Sequence, residues 1–129
     1  MVTILHGLAL ALYVVAAGVL AGSLAEGRRS VPRLGGLATV GGAAAHGAGL
    51  VGYTLVYGEA PLVGLAPSLA TLGFVIAVSL LVATAFRESK ALGLVLLPLA
   101  ASLLAVALAL GVAPAGEALA FRGAWFQFH

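Results

Sequence analysis

Apolar residues run along this chain in long blocks separated by short polar or Gly/Pro-rich breaks. The first block covers residues 3–24 and is broken by Ala25-Glu26-Gly27-Arg28-Arg29-Ser30-Val31-Pro32-Arg33. The second covers residues 34–57 and stops at Gly58-Glu59-Ala60-Pro61. A less regular stretch, residues 62–67, leads to a third block over residues 68–86, closed by Arg87-Glu88-Ser89-Lys90. The fourth covers residues 91–112 and ends at Ala113-Pro114-Ala115-Gly116-Glu117. A further segment opens near residue 121. Each block is roughly 19–24 residues long. A helix rising about 1.5 Å per residue needs about 20 to cross the hydrocarbon of a bilayer. Only a helix closes its own backbone hydrogen bonds there, so the blocks read as helices despite their glycines.

Composition points the same way. Hydrophobic residues make up 63% and charged residues 8% of the 129, with a mean hydropathy of +1.20. An ordinary soluble domain carries about 25% charged residues, so this chain lacks the charges to cover a water-facing surface. The expected fold is an all-α, polytopic transmembrane bundle, with four spanning helices and the start of a fifth in a single domain over residues 1–129. The last segment, Phe121-Arg122-Gly123-Ala124-Trp125-Phe126-Gln127-Phe128-His129, has the aromatic belt of a membrane interface. It stops where a new helix would begin, which reads as the N-terminal part of a longer protein.

Charge adds an orientation. Of the six Lys and Arg residues, Arg28, Arg29, Arg33, Arg87 and Lys90 fall in the loops after the first and third helices, and only Arg122 falls elsewhere. Positive residues are retained on the cytoplasmic side, so these loops are expected inside and the N-terminus outside. The net charge of +2 is therefore explained by topology, with no call for nucleic acid. No basic residue precedes the first block, the reverse of a cleaved signal peptide. The absence of cysteine removes disulfides, thiolate metal sites and thioether-linked haem from this chain.

Ionisable groups within the membrane are costly and are candidates for function. The helices hold two, His6 and His46, while all four carboxylates fall in loops. That distribution disfavours a proton-coupled transporter, and no phosphate loop, nucleophile elbow or zinc-type cluster points to an enzyme. Gly42, His46, Gly49 and Tyr53 are spaced by four, three and four, which puts them on one helical face. Two readings compete there. The first is tight helix packing, with His46 hydrogen-bonded to a neighbouring helix. The second is a flat cofactor against the glycines, with the imidazole on its iron. His6 is expected near the outer end of its helix, within reach of water. Gly18 and Gly22 form a G-x-x-x-G pair expected to serve helix packing. Pro98 is expected to kink the fourth helix.

The order of features resembles a known family. Ala45-His46-Gly47-Ala48-Gly49-Leu50, then Gly58-Glu59-Ala60-Pro61-Leu62, then Arg87-Glu88, then Gly93-Leu94-Val95-Leu96-Leu97-Pro98-Leu99-Ala100, then Trp125-Phe126-Gln127-Phe128-His129 is similar to the N-terminal half of the cytochrome c assembly protein family. More narrowly it resembles the CcsA/HemX-type integral membrane branch. The resemblance runs from Tyr13 to His129. It implies haem handling at the outer face of a bacterial inner membrane, with an apocytochrome or another assembly factor as partner. It implies His129 as an axial ligand of haem iron, Trp125 as a porphyrin-packing residue and His46 as a further ligand. The family's Trp-rich outer loop and second outer histidine are not in this chain. The alternative function is a membrane scaffold or small-molecule permease subunit without a cofactor.

Overall fold

In the computed structural model the described residues are 1–27, 33–86 and 90–113. They form four helices: α1 (Val2–Ala25), α2 (Arg33–Tyr57), α3 (Leu65–Phe86) and α4 (Lys90–Leu110). No strand occurs among the described residues. All four helices are long and apolar enough to cross a membrane. The last segment, with Trp125 and His129, lies outside the described residues, as do Arg28, Arg29, Arg87, Glu117 and Arg122.

The helices form a closed ring in which α1 packs on α2 and α4, and α3 packs on α4 and α2. The α1–α2 seam is the most extensive and the α2–α3 seam the thinnest. The buried face of α1 is Val2, His6, Ala9, Tyr13, Ala16, Leu20 and Ser23. Its steps alternate between four and three. A stripe with that 3.5-residue period stays on one side of a helix crossed at a shallow left-handed angle. Ala66, Ala70, Gly73, Ala77 and Leu80 form the corresponding stripe on α3, and Gly93, Leu97, Ala100, Leu104 and Ala107 that on α4.

These inward stripes are made largely of small residues, while the large aliphatic side chains point outward. Ile4, Leu37 and Leu55 are 74%, 70% and 78% exposed. A water-soluble monomer does not present such a surface. In lipid no hydrophobic force separates inside from outside, so close backbone approach holds the helices together, and small residues permit it.

Two helix limits differ from the sequence expectation by more than one residue. The third helix begins at Leu65 instead of residue 68 and includes Pro67. A proline in the first turn is tolerated because the N–H it lacks has no intrahelical acceptor. The preceding turn is fixed by Gly58 and Gly64, both with positive φ, at 70° and 101°. Thr71 donates its hydroxyl to the Pro61 carbonyl at 2.6 Å, and Ser68 donates to that of Leu62 at 2.9 Å, which ties the turn to α3. The fourth helix ends at Leu110, two residues short of expectation, because Gly111 takes φ 85°. It runs through Pro98 as a single helix. Arg33 and Lys90 open α2 and α4 and therefore lie at the same end of the bundle.

Candidate functional site

Polar chemistry in the bundle is concentrated between α1 and α2. His6, Tyr13 and His46 are each fully buried, at 0% exposure. The His6 and His46 rings stand edge to face, with centroids 5.2 Å apart and planes at 74°. His46 is also flanked by Tyr13 at 5.9 Å and, from α3, by Phe74 at 5.6 Å. Three helices thus enclose one imidazole.

Glycines on α2 make the approach possible. A Cβ on Gly42 would lie 2.7 Å from the Tyr13 ring, and one on Gly49 would lie 2.6 Å from Cε1 of His6. The expected face of Gly42, His46, Gly49 and Tyr53 is indeed buried along its whole length. The reading of His6 as a water-accessible outer residue is corrected. It fills the space that Gly49 leaves and sits inside the bundle. The G-x-x-x-G pair of α1 is corrected as well. Gly18 and Gly22 are exposed, with nothing within 4 Å of a Cβ built on either. The glycines that pack this seam are those of α2.

Both imidazoles are held through Nδ1. His6 lies 2.8 Å from the Val2 carbonyl through Nδ1. A carbonyl only accepts, so Nδ1 carries the hydrogen and Nε2 of the neutral ring has a free lone pair. Tyr13 meets Nδ1 of His46 at 3.3 Å. Either partner can donate in that bond, so the Tyr13 bond leaves two tautomers of His46 open. Nε2 of His6 and Nε2 of His46 are buried without a hydrogen-bond partner. The Ala70 carbonyl on α3 faces the His46 ring, without closing a hydrogen bond of ordinary geometry to Nε2. Buried polar atoms normally find partners, so two orphaned nitrogens on adjacent rings mark this place as unusual.

Of the ligand candidates from the sequence, His46 lies in this seam, while His129 and Trp125 lie outside the described residues. No cluster of three or more His, Cys, Asp or Glu side chains occurs among the described residues. Two imidazoles on opposite sides of a haem iron need ring centroids about 6.3 Å apart, given a metal–nitrogen bond near 2 Å. The His6–His46 pair, at 5.2 Å, is too close for that arrangement.

Fold and site together define a four-helix membrane bundle with a buried, partly unsatisfied histidine pair. No family model matches the chain, and neither a curated protein nor a solved structure is significantly similar to it.

Proposed function

We propose that this chain is a haem-handling membrane protein of cytochrome c assembly type, which presents or transfers haem at the outer face of a bacterial inner membrane. The observation that carries the proposal is the ordered set of motifs ending in Trp125-Phe126-Gln127-Phe128-His129. In this reading the bundle end bearing Arg33 and Lys90 faces the cytoplasm, and His129 lies at the opposite side. Haem supplies an iron that takes a neutral imidazole. His129 is the residue proposed to hold it, with Trp125, four residues earlier in the sequence, to pack on the ring. His46 has the free Nε2 that a ligand needs, but its ring is enclosed by His6, Tyr13 and Phe74. Iron at His46 would require Phe74 to move. An apocytochrome or another assembly factor is the proposed recipient.

A second reading has a specific observation in its favour. The Tyr13–His46 bond joins two helices, which is what a purely structural histidine would do in a cofactor-free scaffold or permease subunit. Absorbance of the purified full-length protein separates the two. The haem reading expects a Soret band that His129→Ala weakens or shifts and that added imidazole partly restores. A protein that carries no haem after expression with excess haem precursor, or one whose His129→Ala spectrum is unchanged, would sink it.

A further inference from the structure

We infer that the lipid-facing flank of α3 is a binding site for one anionic phospholipid, whose acyl chain lies in a groove on that helix and whose phosphate meets Arg33. The inference rests on the described helices and not on the haem reading.

The groove comes from helix geometry. Side chains four apart form ridges along a helix, with a furrow between neighbouring ridges. On α3 one ridge is Phe74, Val78 and Val82, and the next is Val75, Ser79 and Ala83. The second ridge falls from valine to serine and alanine, which opens the furrow. These six residues line an open groove of about 400 Å³. It lies on the flank that Phe74 turns to α2, since a Cβ on Gly47 would lie 3.2 Å from the Phe74 ring. The α2–α3 seam is the thinnest of the four, which leaves this flank open.

Length and chemistry select the occupant. Phe74 stands near the middle of α3 and Ala83 near its end. Between them a helix rises about 14 Å, close to half of a hydrocarbon core about 30 Å thick. The groove therefore spans the depth of one leaflet, and its lining is apolar except for the Ser79 hydroxyl. A second helix fits less well. Helices in lipid associate by close backbone approach over small residues, and Phe74, Val78 and Val82 hold a partner's backbone away.

Charge sets the headgroup. α2 and α3 run antiparallel, so Arg33 opens α2 at the end where α3 finishes. Counted from Gly47, Arg33 lies about 21 Å along α2, which is about 7 Å beyond the level of Ala83. Arg33 is exposed, and a long basic side chain carries its charge to the headgroup level while its stem stays on apolar surface. Segments 25–33 and 87–90, which close this end, hold five Lys and Arg residues against Glu26 and Glu88. The opposite end has Glu59 and, among the described residues, no Lys or Arg. Basic side chains beside membrane helices attract anionic headgroups. A zwitterionic lipid offers the same acyl chain without the net charge.

The test is fluorescence quenching of the haem-free full chain in bilayers that contain phosphatidylglycerol or phosphatidylcholine brominated on the acyl chains. Trp125, the chain's one tryptophan, is replaced by Phe, and Phe74→Trp places the reporter at the mid-membrane end of the groove. Brominated phosphatidylglycerol should associate about fivefold more strongly than phosphatidylcholine, the effect of one basic residue at a membrane surface. Arg33→Gln should bring that ratio close to one. Ser79→Leu, which fills the groove, should weaken quenching by both lipids. A reporter at Leu55→Trp, exposed near the opposite end of α2, should show no preference. Equal quenching by both lipids at position 74, a ratio unchanged by Arg33→Gln, quenching unchanged by Ser79→Leu, or the same ratio at Leu55→Trp would overturn the proposal. So would an absence of quenching by either lipid at position 74, which would mean that protein covers the groove. Native mass spectrometry of the wild-type chain, released from an equimolar mixture of the two lipids, gives an independent reading. One retained phosphatidylglycerol supports the site, and equal retention of both lipids overturns it.

Discussion

The phenolic oxygen of Tyr13 lies 3.3 Å from Nδ1 of His46, on the neighbouring helix. It is a hydrogen bond that joins α1 and α2 through side chains deep in the bundle. Tyr13 can reach it because Gly42 places no side chain against its ring. The same bond fixes the orientation of the His46 imidazole, whose other nitrogen is left without a hydrogen bond. Packing and chemistry at this point share the same atoms.

Tyr13→Phe keeps the ring and removes the hydroxyl. The expected loss is about 0.6 kcal/mol and at most about 1.7, the range for hydrogen bonds between membrane helices. A double-mutant cycle with His46→Ala, read from unfolding in mixed detergent, should give a coupling of that size. A coupling within about 0.3 kcal/mol of zero, the ordinary error of additivity, would show that the bond contributes nothing to stability.

The glycines of the two helices should respond in opposite ways. Gly49→Ala sets a methyl 2.6 Å from the His6 ring, and Gly42→Ala sets one 2.7 Å from that of Tyr13. Overpacking against rigid buried rings costs about 1–3 kcal/mol. Gly18→Ala and Gly22→Ala meet open space, and the gain in helix propensity, up to about 1 kcal/mol, should leave them neutral or stabilising. Unfolding midpoints of the four variants check this. Similar losses at all four positions would mean that the outward face of α1 is packed in the purified protein, for example against a second copy.

The four helices were legible because a bilayer imposes a length and a polarity that composition alone reveals. The face of Gly42, His46, Gly49 and Tyr53 was legible because helical spacing is local. The partners of that face were not. Which helix faces Gly49 depends on how α1 is rotated, and no local rule states that rotation. The one available signal was the seven-residue separation of His6 and Tyr13, with Ala9 and Ala16 in phase with them. That stripe predicts a common inward face and would have brought His6 into the site. Gly18 and Gly22 misled for the same reason: their motif says that a close approach is possible, not that one occurs. The limits of α3 and α4 were set by glycines with positive φ, a property the sequence permits without requiring it.

The two ends of α2 offer a test of orientation. Its 25 residues span about 37 Å, enough to put Glu26 and Glu59, in the turns before and after it, on opposite sides of a membrane. A cysteine replacing Glu59 should react in intact cells with a membrane-impermeant maleimide. A cysteine replacing Glu26 should react only after the cells are opened. The reverse pattern would refute the N-terminus-outside arrangement, and the proposed outer location of His129 would go with it. Labelling of both from outside would refute the spanning assignment of α2.

Gly73 on α3 and Gly93 on α4 give a sharper contrast, because there distance and cost should part company. A Cβ on Gly93 would lie only 2.6 Å from Cδ2 of Leu20, closer than the 3.1 Å between a Cβ on Gly73 and the Ala100 carbonyl oxygen. The Leu20 atom is the end of a side chain and can turn away. The Ala100 oxygen belongs to the backbone of α4 and moves only if the helix does. A Cβ on Gly73 would also stand 3.6 Å from Cε1 of His46, so a shift there is transmitted to the enclosed imidazole. Gly73→Ala should therefore cost about 1–3 kcal/mol. Gly93→Ala should cost less than about 1 kcal/mol, since its helix propensity gain offsets a rotamer change. Unfolding in mixed detergent measures both. If Gly93→Ala is the more damaging of the two, Leu20 is locked by its own packing, and the shorter distance is the one that governs.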